Sequence, residues 1–330
     1  MTDAAETRDD IYWTRFMAGL CGPALTPEEK TAQLQAVTEA DITGHMLAAA
    51  AAYLLDHALP LSIDGIDVCG TGGDSGKNAV KTFNISTAVA FVLAAGGVSV
   101  VKHGNRGVSS LSGSSDVLAA LNVPVATTAD EALQQHKTHG LCFISAPAFH
   151  PALGILAPIR RSLGRPSFLN LLGPLCNPAR TSRQLIGVYS KQYLPAMAEA
   201  AKLLGRAEVM AVHSDDGLDE ISISALTHIS HLKNGAVTET SLTPELFGVS
   251  PAPLEKLAGG TAQQNGAIIH AVFSGTGGPL LDIICVNSAA GFMMTGKADN
   301  LPQGYALAKE TVQSGAALAK LKAMKVAPKP

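Results

Sequence analysis

The sequence predicts an α/β protein: a small all-helical domain joined to a larger α/β domain whose central, mainly parallel sheet is flanked by helices. Three observations carry this expectation. The chain has 330 residues, enough for about two domains at roughly 150 residues each. From Ile66 onward, short apolar runs alternate with helical segments, as a parallel sheet with crossover helices requires. The first sixty residues and the Pro-rich stretch from Ser145 to Arg180 carry little strand pattern, so they are expected to join each other. The expected boundaries are 1–62 with about 151–182 for a discontinuous helical domain, and 63–150 with 183–330 for the α/β domain. No internal repeat and no low-complexity linker divides them.

Each element has a local reason. Thr26-Pro27-Glu28-Glu29 reads as a capping box with Pro at the first helical position, and an alanine-rich helix over about 41–58 stops before Pro60. Expected strands are 66–68, 98–101, 141–144, 185–188 and 208–212. Thr128 and Glu131 mark the start of another helix, and Gly140 its end. Asn234-Gly235 between apolar runs predicts a tight hairpin.

Composition narrows the class. Hydrophobic residues make up 47% and charged residues 15%, against roughly 25% charged in an average soluble protein, which excludes disorder as the dominant state. The 24 Lys and Arg nearly balance the 27 Asp and Glu, leaving a net charge of −3 and no basic excess to attract nucleic acid. Mean hydropathy is +0.22. The longest uncharged apolar stretch, Thr82 to Val101, is interrupted by Asn84, Ser86, Thr87 and Gly96-Gly97, unlike a spanning helix. The N-terminus, MTDAAETRDD, has no apolar signal region, and five scattered cysteines form no C-x-x-C pair. A cytoplasmic protein is the expectation.

Four segments could carry chemistry. Asp67-Val68-Cys69-Gly70-Thr71-Gly72-Gly73-Asp74 places glycines directly after a strand, where backbone N–H groups can converge on an anion. The same residues suit a tight strand-to-helix turn, and on their own they leave both readings open. Asn84-Ile85-Ser86-Thr87 could cap a helix or face a phosphate. Lys102-His103-Gly104-Asn105-Arg106, with Ser109, Ser110 and Gly113, leaves another strand end, the place where ligands bind in open α/β sheets. His213 to Glu220 holds four carboxylates in six residues, hard oxygen ligands suited to Mg²⁺ or simply a solvated acidic turn. Together they describe a site for a pyrophosphate-bearing substrate.

From Ile66 onward the chain resembles the anthranilate phosphoribosyltransferase family, within the nucleoside phosphorylase and phosphoribosyltransferase fold. GTGGD (70–74), NIST (84–87), KHGNR (102–106), SGSSDVL (112–118), SAPAFHPA (145–152), PIRRSLG (158–164), LNLLGPLCNPA (169–179), LIGVYS (185–190), DDGLDEIS (215–222) and LAGGTAQQN (257–265) carry the likeness. It implies transfer of a phosphoribosyl group from phosphoribosyl pyrophosphate to the amine of anthranilate, in tryptophan biosynthesis. Contacts to phosphoribosyl pyrophosphate would come from Gly70, Thr71, Gly72, Gly73, Asp74, Asn84, Ser86, Thr87, Lys102, Ser109, Ser110 and Gly113. Gly70, His103, Asn105, Ala146, His150 and Arg160 would hold anthranilate, with Arg160 gripping its carboxylate bidentately. Ser86, Asp219 and Glu220 would bind Mg²⁺, two ions in all. Lys102, Arg160 and His103 would be the catalytic residues, His103 as an orienting group or a proton acceptor. The resemblance further implies a homodimer and association with anthranilate synthase components.

The chain also departs from the family pattern. The 75–83 stretch is about four residues longer than the usual loop and adds Lys77 and Lys81. The N-terminal region lacks about one helix. Leu169 stands where the family has Phe, and Gly154 and Ile155 replace a basic residue and a His. Two other readings of the fold, a pyrimidine nucleoside phosphorylase and a non-catalytic nucleic-acid-binding paralogue, fit less well. The first lacks KHGNR with GLDE, and the second gains basic surface.

Overall fold

Among the described residues seven strands form one sheet: β1 (Ile66–Gly70), β2 (Val100–Gly104), β3 (Leu141–Ser145), β4 (Arg183–Gly187), β5 (Glu208–Ser214), β6 (Thr227–Lys233) and β7 (Ala236–Leu242). Their order is β3-β2-β1-β4-β5-β6-β7. The first five are parallel, and β6 and β7 add an antiparallel edge. The computed structural model describes residues 8–72, 80–107, 112–163 and 167–327, without the side chains of 160–162.

The chain builds outward from β1 through β2 to β3, then crosses back to lay β4 against the other side of β1. This reversal makes the carboxyl ends of β1 and β4 the switch point of the sheet, where adjacent loops diverge and leave a crevice.

Side chains alternate between the two faces, as the strand period dictates. Leu185, Met210 and Val212 point into one core with the helices 85–95, 279–294 and 301–313. Ile186, Val188, Val209 and Ala211 point into a second core with the N-terminal helices. Trp13, Met17, Leu20, Met46 and Leu47 of those helices share one buried cluster with Leu156, Ile159, Phe168, Leu171 and Leu175. Coverage on both faces explains why the parallel strands read as apolar runs and not as alternating patterns.

The local signals set the ends of the elements. Thr26 accepts from Glu29 N while Glu29 reaches back to Thr26 N, closing the capping box. Thr128 accepts from Glu131 N, and Gly140 ends that helix in the left-handed region at φ 66°. Asn234 and Gly235, at φ 51° and 75°, make the two-residue turn between β6 and β7. The alanine-rich helix begins later than expected, at Gly44 after Thr43, because 39–41 forms a separate 3₁₀ turn. β2 starts at Val100, not Val98: Gly97 at φ 79° turns the chain, and Val98 N still bonds Leu93 O of the preceding helix. β2 and β3 also run on to Gly104 and Ser145, because their pairing is backbone chemistry that continues past the apolar run. Among the described residues no helix is long and apolar enough to cross a membrane.

Candidate active site

At the switch point lies a cleft of about 310 Å³. One wall is polar: Gly70, Thr71 and Gly72 after β1, Asn84 and Ser86 at the start of helix 85–95, Lys102 to Gly107 from β2, and Asp219 with Glu220 after β5. The facing wall is largely apolar, with Ala146, Leu153, Leu169, Gly173 and Pro174 from the helical segment that packs on the N-terminal helices.

The glycine loop is tied to β4. Thr71 N donates to Gly187 O at 2.9 Å, Tyr189 N donates to Thr71 Oγ1 at 2.9 Å, and Gly72 N donates to Asp219 Oδ2 at 3.3 Å. Gly70 and Gly187 sit opposite each other, and the chain at Asp219 passes directly over both. A Cβ on Gly187 would run into the Asp219 carbonyl, and one on Gly70 would lie 2.5 Å from Asp219 Oδ2. The close backbone approach requires glycine at 187, whereas at 70 a side chain would have to displace the Asp219 carboxylate.

Helix 85–95 starts at Ile85, and neither Asn84, Ser86 nor Thr87 caps it through a side chain, contrary to the capping option left open by the sequence. Asn84 instead bridges two loops, donating to Ser112 O at 3.3 Å and accepting from Asn265 Nδ2 at 2.9 Å. Ser86 Oγ accepts from Lys102 Nζ at 3.1 Å. Thr87 is fully buried, does not line the cleft, and its hydroxyl finds no partner among the described residues. One residue of helix rotation separates it from Ser86, which turns its side chain to the other face. Gly113 closes the loop after β2: its N–H and that of Gly107 both donate to Asp116 Oδ2, at 2.9 and 2.8 Å.

The acidic loop divides its carboxylates. Asp215 bonds His228 at 2.7 Å, and Asp216 accepts from Leu218 N and Ser222 Oγ, so these two brace the loop. Buried Asn287 holds both the N–H and the carbonyl of Ile221 at 2.9 Å, which leaves Asp219 and Glu220 at the cleft. These two carboxylates with the Ser86 hydroxyl are hard oxygen donors that fit Mg²⁺. Among the described residues no third carboxylate, His or Cys joins them. Such a set leaves most of an octahedral shell to water and substrate oxygens, the way Mg²⁺ is usually held.

His103 lines the cleft, with His150 packed behind it edge to face at 5.3 Å between ring centres. His150 is buried, bonds Cys176 O through Nε2 at 2.6 Å, and does not itself reach the cleft. Burial, with His150 as a smaller contributor, lowers the His103 pKa to about 3, and burial lowers that of His150 as well. Both imidazoles are therefore neutral in the folded protein at neutral pH. An unfolded chain takes up these protons below about pH 6.5, so it binds more protons than the native state between pH 6.5 and 3. Folded stability should fall on acidification across that window, and His103→Gln should flatten the fall in denaturant titrations between pH 7 and 5.

Lys102 is 3% exposed and donates to Val68 O and Ser86 Oγ. Near it lies a residue that sequence reasoning did not single out. Asp67 is completely buried and accepts from His103 N and Asn177 Nδ2 at 3.2 and 2.9 Å. Desolvation raises its pKa, opposed first by the Lys102 charge. The available signal was a charged residue inside an otherwise apolar strand run, Ile66-Asp67-Val68. Asn265, the last residue of the 257–265 motif, was likewise not expected to hold Asn84.

Asn105 and Ala146 line the cleft as well. Gly73, Asp74, Lys77, Ser109 and Ser110 lie outside the described residues, and Arg160 falls on helix 151–163 with its side chain outside them.

Residues 62–318 match a family described as "Glycosyl transferase family, a/b domain". A curated relative, anthranilate phosphoribosyltransferase of Rhodopseudomonas palustris (strain TIE-1), is 42% identical over 97% of this chain and 94% of its own length. The crystal structure of anthranilate phosphoribosyltransferase from Thermus thermophilus superposes with a TM-score of 0.87 at 36% identity, covering 96% of this chain and 94% of that one. Anthranilate phosphoribosyltransferase from Saccharomyces cerevisiae, solved in complex with PRPP and Mg, superposes with a TM-score of 0.82 at 29% identity, covering 95% and 90%.

Proposed function

The chain belongs to the anthranilate phosphoribosyltransferase family, and we propose that its cleft moves the 5-phosphoribosyl group of phosphoribosyl pyrophosphate onto the amine of anthranilate, releasing pyrophosphate. The observation that carries this reading is the two-sided cleft at the β1/β4 switch point. A cation and two carboxylates (Lys102, Asp219, Glu220) share this cleft with an apolar wall (Ala146, Leu153, Leu169), one side suited to a charged phosphate group and the other to an aromatic ring.

Displacement at ribose C1 breaks the bond to pyrophosphate as the amine nitrogen closes from the opposite face. Negative charge grows on the leaving group, so donors fixed beforehand on that side lower the barrier. The Lys102 ammonium is such a donor. Asp219 and Glu220, with Ser86 at one of two ions, would hold Mg²⁺, which when bound neutralises pyrophosphate charge. An aromatic amine is neutral and nucleophilic at pH 7, so no base is obligatory. Neutral His103 orients the amine and can take its proton once the new C–N bond has formed.

The aromatic ring belongs against Ala146 and Leu169, with Asn105 at its polar edge, and Arg160 as the partner of its carboxylate. His150 acts through His103, since it does not line the cleft. The helices of 1–62 and about 151–182 then serve as the domain that carries the anthranilate side. The family resemblance places a homodimer contact on that domain.

Anthranilate fluorescence should decline only when phosphoribosyl pyrophosphate and Mg²⁺ are both supplied; no decline under those conditions overturns the reading. Arg160→Ala should raise KM for anthranilate by about tenfold or more, the loss of a charge-assisted pair, with KM for phosphoribosyl pyrophosphate little changed. Equal effects on the two would remove Arg160 from its assigned role.

A further inference from the structure

We infer that Asp67 and Asn177 form a polar wedge between β1 and β2 that positions Lys102 and His103, an inference that rests on the function proposed above. β1 pairs with β4 over five residues, and β2 with β3 over five, yet β1 and β2 share a single register pair, Ile66 with Val100. The backbone directions say what is missing. Ile66 N donates to Ser99 O and Val100 N to Gly140 O, so Ile66 and Val68 face β2 while Val101 and His103 face β1. A regular parallel ladder would continue with Val68 N to Val101 O and His103 N to Val68 O.

Side chains take those places instead. Asn177 Nδ2 donates to Val101 O at 2.9 Å, Asp67 Oδ1 accepts from His103 N at 3.2 Å, and Lys102 Nζ donates to Val68 O. Asp67 Oδ2 and Asn177 Nδ2 bond each other at 2.9 Å, which makes the wedge one unit, and Ala179 N anchors Asn177 Oδ1 at 3.0 Å. Asp67 and Asn177 are both wholly buried.

The strands are thereby held apart at the end where the cleft opens. The ammonium of Lys102 is brought across to β1 beside Ser86, and the backbone of His103 is fixed from below. A buried carboxylate is costly, and backbone bonds would have closed the ladder without one. What the carboxylate and amide add is an opened sheet end with a cation held at the pyrophosphate side. Asn177 comes from the segment that forms the apolar wall, so the wedge also sets the spacing between the two halves of the cleft.

The test compares wild type with Asp67→Asn, Asn177→Ser and the double variant. Calorimetric binding of phosphoribosyl pyrophosphate with Mg²⁺ needs no acceptor, so it reads the wedge separately from whether anthranilate is the substrate, which wild-type turnover decides. Both single variants should fold and bind phosphoribosyl pyrophosphate about tenfold more weakly or worse, with kcat also lowered, because misplacement of about 1 Å is expensive in a preorganised site. The double variant should be no worse than the more damaging single one, since both break the same unit. Wild-type binding and kinetic constants in the folded variants would overturn the inference. So would a lowered Tm alone, or failure of both single variants to fold, each of which assigns the pair a purely structural role.

Discussion

Lys102→Met is expected to lower kcat/KM for phosphoribosyl pyrophosphate by about three orders of magnitude, the size of effect seen when one preorganised donor to a developing anion is removed. Methionine keeps most of the buried stem, so packing is nearly conserved while the charge is lost. Two of the three ammonium donors are already committed to Val68 O and Ser86 Oγ, which fixes the head group at the cleft and leaves the third for substrate oxygen. Stability should drop as well, because Asp67 loses the positive charge that opposes its desolvation. The sign of the pH dependence follows. In the variant the Asp67 pKa rises further above its unfolded value, so the folded state favours the protonated carboxyl. Stability relative to wild type is then lost as pH rises through the raised folded pKa and partly recovered as pH falls. Thermal melts of the two proteins across the acid-to-alkaline range in which both stay folded read this directly. A difference that does not widen toward higher pH would separate Lys102 from Asp67, and near-normal turnover would remove the lysine from the chemistry.

What could be read from the sequence divides along the range of the interactions. Thr26 with Glu29, Thr128 with Glu131, and Asn234-Gly235 act within four residues, so their types and spacing specify the structure on their own. The sheet was legible for a related reason: strands covered on both faces are apolar throughout. The ends of β2 and β3 were not, since Lys102, His103 and Ser145 stay in the ladder through backbone pairing that leaves no hydrophobic mark. In the site, motif residues that lie on one loop were found together at the cleft, among them Gly70, Thr71 and Gly72, or Lys102, His103 and Asn105. Spacing could not show which way a side chain turns. Thr87 faces the core although Ser86 faces the cleft, and His150 stops one ring short of it. Partners far apart in sequence left no local trace: Asn84 with Asn265, 181 residues away, and Asp67 with Asn177, 110 away.

Gly187→Ala carries the other large expected effect, although residue 187 contributes no functional group. The carbonyl of Asp219 occupies the space a methyl group would need, and the obstruction is backbone, which cannot rotate aside. Gly187 is also held from two sides, paired with Gly70 in β1 and accepting from Thr71 N, so the strand cannot retreat without loosening the glycine loop. Asp219 has to move, and with it the carboxylate that accepts from Gly72 N. Overpacking of this kind costs about 1–3 kcal/mol in stability. The catalytic consequence should be larger, because the displaced loop is braced elsewhere by Asn287 and Asp216 and can relax only by tilting its cleft end, where Asp219 and Glu220 sit. The variant should need several-fold more Mg²⁺ for half-maximal turnover and should lose about tenfold or more in kcat at saturating metal, as expected when a metal ligand is held outside its productive geometry. A titration of activity against Mg²⁺, with a melt to confirm folding, separates the two effects. If the metal requirement matches wild type while stability falls, then the seat of Asp219 on Gly187 belongs to folding and the magnesium site draws its geometry from elsewhere.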